Sequence, residues 1–428
     1  MKIAIVGSGI SGNMAAYLLS RTHDVTVFEK RDRTGGHSAT KDIDYSGKGD
    51  WLSVDTGFIV YNDLNYPGLI ALFKELKVDT ETSNMSFSFS ADRGRFEWSG
   101  QSISTVFAQK RNWINPLFWL MLRDIFKFNK RAAEDHEAGN LGDESLGSWL
   151  KRNRLSKIFI RRYLLPMGAA IWSTPANEIM NFPAASFLQF FYNHRLINKD
   201  RPVWRTVSGG SREYVKKITQ SFGNSLKLNA EVTKVRRLPN GAEVTANGET
   251  FEFDEVIFAC HTDQTLQILA DASDDEKAII GAVRYRPNQV YLHRDEKLMP
   301  KRKKTWSSWN YLSHKGQEND LMTVTYWMNR LQNIDYAKPV FVTLNPVFPP
   351  APEKTFGQYQ YDHPQFDRAA MDAQNKLHGI QGTNHAWFCG AWAGYGFHED
   401  GLQSALRVVE GIKRKQESFA ITTAKAAE

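Results

Sequence analysis

The stretch that decides the fold is KIAIVGSGISG, residues 2–12, at the start of the chain. Its apolar run from Ile3 to Val6 ends at a GxGxxG pattern, and a helical stretch follows. A second apolar run, Val25 to Phe28, ends at Glu29. A strand, a glycine turn, a helix and a second strand in this order predict a Rossmann unit that binds a dinucleotide.

The three glycines of the motif and Glu29 each have a role in binding a dinucleotide. Gly7 permits the tight turn, Gly9 lets the backbone approach a pyrophosphate, and Gly12 lets the helix pack closely on the strand. The N–H groups and the dipole of the helix N-terminus favour phosphate. Glu29, about 20 residues further on, can accept hydrogen bonds from ribose hydroxyls. Its charge would repel a 2′-phosphate, so the sequence disfavours NADP.

A second glycine pair distinguishes FAD from NAD. The segment RTGGHS, residues 33–38, follows the second strand directly, where a simple NAD domain would enter its next helix. A glycine pair with a flanking arginine suits a second phosphate and a ribityl chain. The segment DTG follows at 55–57, and a glycine-rich segment, Gly390 to Gly401, precedes the last helical stretch.

These motifs resemble the amine oxidase and phytoene desaturase superfamily of FAD flavoproteins. In that superfamily the C-terminal motif holds the pyrophosphate and ribityl chain, and the following helix points its N-terminus at the flavin. Two positions depart from the pattern: Ala391 replaces the usual Asp, and His37 replaces the usual second Arg. Motif and resemblance together assign FAD binding to Gly7, Ser8, Gly9, Ser11, Gly12, Glu29, Lys30, Arg33, Gly35, Gly36, His37, Thr56, Gly57, Val232, Gly390, Asp400, Gly401 and Leu402.

Three further segments carry a narrower resemblance: 163–175, 325–332 and 395–406. They are similar to an amine-oxidase-like flavoprotein family whose bacterial members are typically encoded near cyclopropane-fatty-acid synthases. The association implies lipid acyl chemistry and a functional link to a fatty-acid-modifying methyltransferase.

The fold class that follows is α/β, with a Rossmann-type FAD-binding domain interleaved with a mixed-sheet and helical substrate domain. We expect residues 1–75, 206–275 and 384–428 in the FAD-binding domain, the last part including a C-terminal tail. Residues 76–205 and 276–383 are expected to form the substrate domain. Nucleotide motifs lie at both ends and in the middle of the chain, with aromatic segments between them.

The expected function is that of an FAD-dependent oxidoreductase. Its substrate would be apolar, a lipid acyl chain, and a hydride would move between a substrate carbon and flavin N5. Two alternatives stay open: a flavin amine oxidase, and a non-redox flavoprotein that partners a lipid methyltransferase.

The expected catalytic residues are Tyr395 and His398, in the glycine-rich turn by the flavin. A histidine titrates near neutrality and can move protons, although His398 can equally serve only to hydrogen-bond that turn. Substrate contacts are expected from aromatic residues, for which a place in the core is the alternative reading: Trp172, Tyr326, Trp327 and Trp392.

Composition, cysteine count and net charge exclude several other classes of protein. Of 428 residues, 42% are apolar and 24% charged, which is typical of a globular protein. Two cysteines without a CxxC, and no HExxH, predict neither a metal site nor a disulfide framework. The net charge of +7 comes without a nucleic-acid-binding motif, so no nucleic-acid partner is expected. The N-terminal apolar run stops at glycines, which favours a cytoplasmic protein over a secreted one.

Residues 113–131 combine apolar residues at helical spacing with basic residues on the edges. A basic amphipathic helix can lie on an anionic membrane. It can equally be a domain helix with a solvated face. Peripheral membrane contact through 113–131 is therefore a hypothesis.

Overall fold

The computed structural model describes residues 1–139, 141–197, 200, 202–313 and 322–426. The strands are β1 (Lys2–Val6), β2 (Asp24–Phe28), β3 (Thr40–Asp44), β4 (Trp51–Asp55), β5 (Tyr61–Asn62), β6 (Thr80–Thr82), β7 (Phe87–Ala91), β8 (Phe96–Ser99), β9 (Trp204–Val207), β10 (Leu226–Lys227), β11 (Val232–Leu238), β12 (Gly241–Ala246), β13 (Glu249–Phe253), β14 (Glu255–Phe258), β15 (Tyr285–His293), β16 (Trp309–Ser313), β17 (Thr323–Trp327), β18 (Phe341–Leu344), β19 (Thr355–Pro364) and β20 (Ala386–Phe388).

The helices are α1 (Ile10–Leu19), α2 (Pro67–Glu75), α3 (Ile103–Val106), α4 (Pro116–Glu137), α5 (Leu146–Arg152), α6 (Lys157–Phe159), α7 (Leu165–Trp172), α8 (Ala176–Ile179), α9 (Ala184–Asn193), α10 (Arg212–Thr219), α11 (Thr262–Ile268), α12 (Asp274–Ile280), α13 (Met328–Leu331), α14 (Arg368–Lys376) and α15 (His398–Ala426). A π-helical turn, Ile160–Leu164, joins α6 to α7.

A five-stranded parallel sheet in the order β10-β2-β1-β14-β20 forms the nucleotide-binding part. Its strands come from the beginning, the middle and the end of the chain. In β1, Ile3 to Val6 are buried, as expected of a central parallel strand covered on both faces. The helices α1 and α15 pack against each other beside this sheet, which brings the two ends of the sequence together.

A seven-stranded mixed sheet in the order β19-β15-β18-β17-β16-β7-β8 forms the other large layer. Helices α4 to α9 share one hydrophobic core with it. In α4 the residues Phe118, Met121, Phe128 and Ala132 recur on one face and are fully buried, which fixes the helix against this core. Asn115 caps the helix by accepting a hydrogen bond from the Leu117 N–H, and Pro116 occupies the first turn.

The predicted fold class is confirmed: α/β layers with nucleotide motifs in three separate segments. The domain boundaries stay a prediction. The last helix is longer than the sequence indicates. It begins at His398 and runs to Ala426, where a loose tail was expected. Within the described residues, no helix combines the length and the apolar character needed to cross a bilayer.

Candidate active site

The first glycine loop joins β1 to α1 and leaves open space at Gly9. A Cβ atom built at Gly9 would meet nothing within 4 Å, whereas one at Gly12 would overlap the Gly7 carbonyl oxygen. Gly12 therefore serves close helix packing, and Gly9 borders the space expected for a phosphate. No side chain caps α1 at Gly9. At the end of β2, the buried Glu29 carboxylate accepts hydrogen bonds from Ser8 N (3.1 Å) and Ser8 Oγ (2.5 Å).

The second glycine loop, residues 33–38, lies directly against the first. The Gly35 N–H donates to the Ser8 carbonyl oxygen at 2.9 Å. A Cβ at Gly36, where φ is +56°, would lie 3.1 Å from the Gly9 Cα. The Arg33 guanidinium donates to the carbonyl oxygens of Gly36 (3.0 Å) and Ser38 (3.3 Å). Arg33 therefore shapes this loop by holding its backbone.

Two helix N-termini converge on these loops. Ser11, in the first turn of α1, donates through its hydroxyl to the Gly401 carbonyl oxygen at 2.8 Å. A Cβ at Gly401 would lie 2.8 Å from the Ile10 Cγ2, so close packing of α15 on α1 requires glycine there. Two positive helix ends side by side favour a doubly charged anion such as a pyrophosphate.

The DTG segment is anchored by a buried carboxylate. Asp55 has no exposed surface and accepts hydrogen bonds from Thr40 Oγ1 (2.6 Å), Ser211 N (2.9 Å) and Ser211 Oγ (2.7 Å). Burial raises the pKa of Asp55 to about 6. Next in sequence, the Thr56 hydroxyl lies 2.7 Å from the Tyr361 hydroxyl on β19. This contact ties the glycine loops to the large sheet.

The remaining expected FAD ligands lie around these loops. Val232 is buried and follows Ala230, whose N–H donates to the Glu29 carbonyl oxygen at 2.9 Å. Lys30 is exposed at the rim. The Gly390 N–H donates to Ser404 Oγ at 2.9 Å. Leu402 is fully buried in the core under the Rossmann sheet.

Two acidic residues lie in the first turn of α15, and both accept hydrogen bonds from backbone N–H groups. Asp400 accepts the Phe397 N–H at 2.9 Å, and burial raises its pKa to about 6. Glu399 caps α2 by accepting the N–H groups of Gly68 (2.8 Å) and Leu69 (2.9 Å). Among the residues that the structure describes, no three His, Cys, Asp or Glu side chains are grouped as a metal site.

A cluster of buried rings lies beside the second glycine loop. The His37 ring is 5.3 Å from the Tyr361 ring, 5.5 Å from the His363 ring and 6.2 Å from the His261 ring, between centroids. Burial lowers the pKa of His363 to about 4, and that of His37 well below its usual value. These imidazoles are therefore neutral hydrogen-bonding groups near pH 7. Only His37 was expected here, because Tyr361 and His363 lie on β19 and His261 follows β14, all far from His37 in the sequence.

His398 lies within the site but is held firmly. Its Nε2 is 2.9 Å from Ser38 Oγ and 3.2 Å from the Tyr214 hydroxyl, and its ring stacks on Phe58 at 3.7 Å. Burial lowers the pKa of His398 to about 3. The imidazole is therefore neutral at cellular pH, and the expected proton-transfer role stays a prediction that this burial does not favour.

The expected substrate residue Trp172 and the expected catalytic residue Tyr395 belong to the same aromatic cluster. Phe190 connects them, with its ring centroid 4.7 Å from Trp172 and 5.7 Å from Tyr395. Tyr326 is buried in the same core and contacts Trp309 edge to face at 5.0 Å.

Trp327 and Trp392 lie elsewhere. Trp327 follows Tyr326 on β17, and it packs on Trp306 in a separate small cluster. Adjacent strand residues point to opposite faces, which separates the two side chains. Trp392 is buried in the core that contains Phe28 and Phe388 of the Rossmann sheet. Their substrate role stays a prediction.

A cavity of about 1020 Å³ lies between helices α5 to α8 and the ends of the large-sheet strands. Its apolar wall includes Leu150, Leu155, Ile160, Leu165, Met180 and Met322. Its basic residues are Lys151, Lys157, Arg161 and Arg162. No Asp or Glu is found among the described residues that line it. The sequence analysis did not predict this cavity. The one signal available in the sequence was the basic pair Arg161-Arg162, directly before the segment 163–175.

A short chain of contacts joins the cavity to the glycine loops. Asn345 lines the cavity, and its amide donates to Asn288 Oδ1 at 2.7 Å. The Asn288 Nδ2 lies 3.3 Å from His363 Nδ1. His363 in turn faces His37, so the cavity and the glycine loops are separated by about three side chains.

The residues present fit FAD. Gly9 borders open space, two helix N-termini point to the same region, and Glu29 stands at the end of β2. The buried His37 Nε2 has no hydrogen-bond partner among the described residues, as expected where a ligand completes the site. The fold and site define a dinucleotide-binding flavoprotein.

Comparison with known proteins identifies the family. The sequence profile of the flavin containing amine oxidoreductases matches residues 10–412, almost the whole chain. The protein belongs to this family, and the resemblance to amine oxidase-like flavoproteins is confirmed. FAD is the cofactor that membership implies, as the sequence predicts.

Individual relatives are more distant. AofH of Mycobacterium tuberculosis, a candidate flavin-containing monoamine oxidase, is 27% identical over 272 residues, which cover 60% of this chain and 56% of AofH. The match thus spans about half the length of that relative. The CLA-producing fatty acid isomerase from P. acnes has a TM-score of 0.67 at 14% identity, covering 96% of this chain and 98% of that one. Putrescine oxidase bound to putrescine has a TM-score of 0.67 at 18% identity, covering 97% and 99%. At these identities the two structures share the fold.

Proposed function

We propose that the protein is an FAD-dependent oxidoreductase that acts on the acyl chain of an anionic lipid. The observation that carries this proposal is the cavity between helices α5 to α8 and the large sheet, which is apolar along its wall and lined by basic side chains. Asn288 and His363 lie between this cavity and the second glycine loop. Burial of each methylene in such a cavity contributes about 0.8 kcal/mol. A carboxylate or phosphate headgroup would find its counter-charges at Lys151, Lys157 and Arg162.

FAD, when bound, supplies hydride acceptance or donation at N5. The chain's own residues would hold the cofactor in place and shield the substrate from water. The two glycine loops and the N-termini of α1 and α15 would hold the cofactor's phosphates. The apolar cavity wall excludes water from the acyl chain. His363 and His37 are kept neutral by burial, so they can donate or accept a hydrogen bond beside the cofactor site without adding charge.

An amine oxidase is the second candidate, and the family match and AofH favour it. An aliphatic amine is a cation near neutral pH. Lys151, Lys157 and Arg162 of the cavity lining would repel it, and no carboxylate is found among the described lining residues. A fatty acid isomerase shares this fold, which supports an acyl chain as a substrate that the fold accepts.

Flavin redox titration under anaerobic conditions tests the proposal. Oleate, oleyl alcohol, oleylamine and dioleoyl phosphatidylglycerol are added to oxidised and to dithionite-reduced holoprotein. We expect oleate or the phospholipid to change the flavin absorbance in one of the two states, with the alcohol weaker and the amine inactive.

Bleaching by oleylamine alone would replace the acyl proposal with an amine oxidase. A flavin that responds to none of the four, while the lipids still bind, would indicate a non-redox partner of a lipid methyltransferase. Lys277→Glu serves as the charge control, because Lys277 is exposed on α12 and does not line the cavity.

A further inference from the structure

Of the fourteen large apolar residues that are exposed in the described part of the chain, six lie within 103–126. These six are between about half and nine-tenths exposed. We define the docking surface by these residues and four basic neighbours: Ile103, Trp113, Ile114, Leu117, Trp119 and Phe126, with Lys110, Arg111, Arg123 and Lys130. Contiguous exposed apolar area of this kind marks an interaction site.

The aromatic part of the docking surface is one continuous cluster. Trp113 stacks on Phe107 at 3.9 Å, and Trp119 lies 5.3 Å from the same ring. The Trp119 indole N–H donates to the Trp113 carbonyl oxygen at 2.9 Å. The cluster is therefore preformed, and little side-chain entropy would be lost when it inserts.

Along α4 the exposed face alternates aromatic and basic residues. Trp119, Arg123, Phe126 and Lys130 follow at spacings of four, three and four, so they share one face of the helix. The side chains of Arg123 and Lys130 are 64% and 76% exposed. Phe126 itself is 74% exposed, in the middle of this face.

The charge of the surface selects its partner. Six basic residues and one acidic residue, Asp124, occur within 103–133. Asp124 is fully buried, where it accepts the Ser156 N–H at 2.7 Å and pairs with Arg123. The exposed side also carries Glu134, which pairs with Lys130 and Arg131, but basic side chains remain in excess beside the apolar ones. Indole rings and basic side chains at one level are typical of proteins that lie in the headgroup region of a bilayer.

We propose that this docking surface holds the protein peripherally on an anionic phospholipid bilayer. Ile114, Leu117 and Phe126 would enter the acyl boundary, and the basic side chains would meet lipid phosphates. The inference goes beyond the proposed reaction, because the surface would dock whatever the substrate is.

The docking surface also lies close to the basic side of the cavity. Arg162 lines the cavity and stands 5.6 Å from the Phe96 ring, which is 6.0 Å from the ring of Phe118 on α4. The Ser156 N–H, next to Lys157 of the cavity, is bound by Asp124 of α4. If the proposed acyl substrate is correct, this neighbourhood gives a membrane lipid a short path to the cavity.

Cosedimentation of the holoprotein with vesicles tests docking directly. The probes are phosphatidylcholine vesicles with and without phosphatidylglycerol, at low and high salt. We expect binding to the mixed vesicles at low salt, and at least tenfold weaker binding to pure phosphatidylcholine. Each reversed basic residue should weaken binding by about fivefold or more, so Lys110→Glu with Arg111→Glu and Lys130→Glu should lose about a hundredfold.

The apolar contribution is tested by Ile114→Asp with Phe126→Asp. The matched control is Trp51→Asp, since Trp51 is 65% exposed but lies outside the surface. The double variant should lose vesicle binding while Trp51→Asp keeps it, and both should retain flavin absorbance. Failure of the wild type to bind anionic vesicles would overturn the proposal. So would a wild-type dimer that the double variant converts to a monomer, since the surface would then be a protein interface.

Vesicle binding and flavin redox are separate readouts. A protein that binds vesicles but whose flavin ignores every lipid would contradict the proposed function and support docking. A protein whose flavin responds to oleate but which ignores vesicles would do the reverse.

Discussion

Acidification should unfold this protein through its buried histidines. Burial lowers the pKa of His194, His293 and His363 to about 4, and that of His398 to about 3. In the unfolded chain each imidazole titrates near 6.5. As pH falls below that value, the imidazoles of the unfolded chain bind protons, whereas the buried imidazoles of the folded protein stay neutral. The stability that these groups contribute is complete above about pH 6.5 and is lost towards pH 4.

The size of the effect follows from proton linkage. At about pH 5, a histidine with a folded pKa of about 4 costs about 2 kcal/mol of stability relative to neutral pH. Four such groups together cost about 8 kcal/mol. The buried carboxyls of Asp55 and Asp400, whose folded pKa is about 6, take up protons in the folded state and return about 1.4 kcal/mol each. The net loss of about 5 kcal/mol is comparable with the lower end of the stability of about 5–15 kcal/mol of a typical domain. Carboxylates with a lowered folded pKa, such as Asp124 and Asp295, oppose unfolding only until pH nears their own titration range.

Urea unfolding at saturating FAD, followed by circular dichroism between about pH 7.5 and pH 5, measures this loss. His293→Gln removes one group and should reduce the loss by about 2 kcal/mol, whatever the variant costs at neutral pH. His378→Gln, at an exposed position, should leave the loss unchanged. A wild type as stable at pH 5 as at pH 7.5 would refute the reasoning.

Three further outcomes are expected. Gly9→Glu should reduce bound flavin at least tenfold, because bulk and negative charge would fill the open space at the phosphate position; Gly223→Glu, where a Cβ also meets nothing, should keep it, and equal flavin content in both would contradict the assignment. Lys151→Glu with Lys157→Glu should weaken oleate binding about tenfold to a hundredfold and leave oleyl alcohol unchanged, measured by flavin fluorescence titration. His398→Asn should leave the pH profile of turnover unchanged but speed FAD release, because the imidazole is neutral and only its hydrogen bonds are lost; a shifted profile would restore its proton-transfer role.

The nucleotide-binding half could be predicted from the sequence because its signals are local. The spacing of Gly7, Gly9 and Gly12 fixes a turn, a phosphate approach and a helix contact within six residues. Glu29 follows at the distance set by one helix and one strand. Such features depend on neighbours in the chain, so periodicity and motif spacing locate them.

The substrate half could not be predicted in the same way. The cavity combines residues near 150, 310 and 345, and the ring cluster brings His37 together with His363. No local pattern encodes such pairings. The neutral state of His398 was also out of reach, since burial by Phe58 and Tyr214 depends on tertiary packing. The separation of Tyr326 from Trp327 was available in principle, because strand alternation alone divides adjacent residues.

The discontinuous Rossmann sheet has a consequence for biosynthesis. Strand β20 completes the sheet beside β14, and α15 packs on α1, so the last forty or so residues cover parts that the ribosome makes first. The buried Ile3 and Ile257 lack the cover of α15 until that helix has been made. Nascent chains would therefore hold an open, apolar half-sheet until α15 has left the ribosome, and flavin loading would follow that step. Premature stop codons anywhere before α15 should consequently yield chaperone-bound, colourless protein instead of a partly active enzyme.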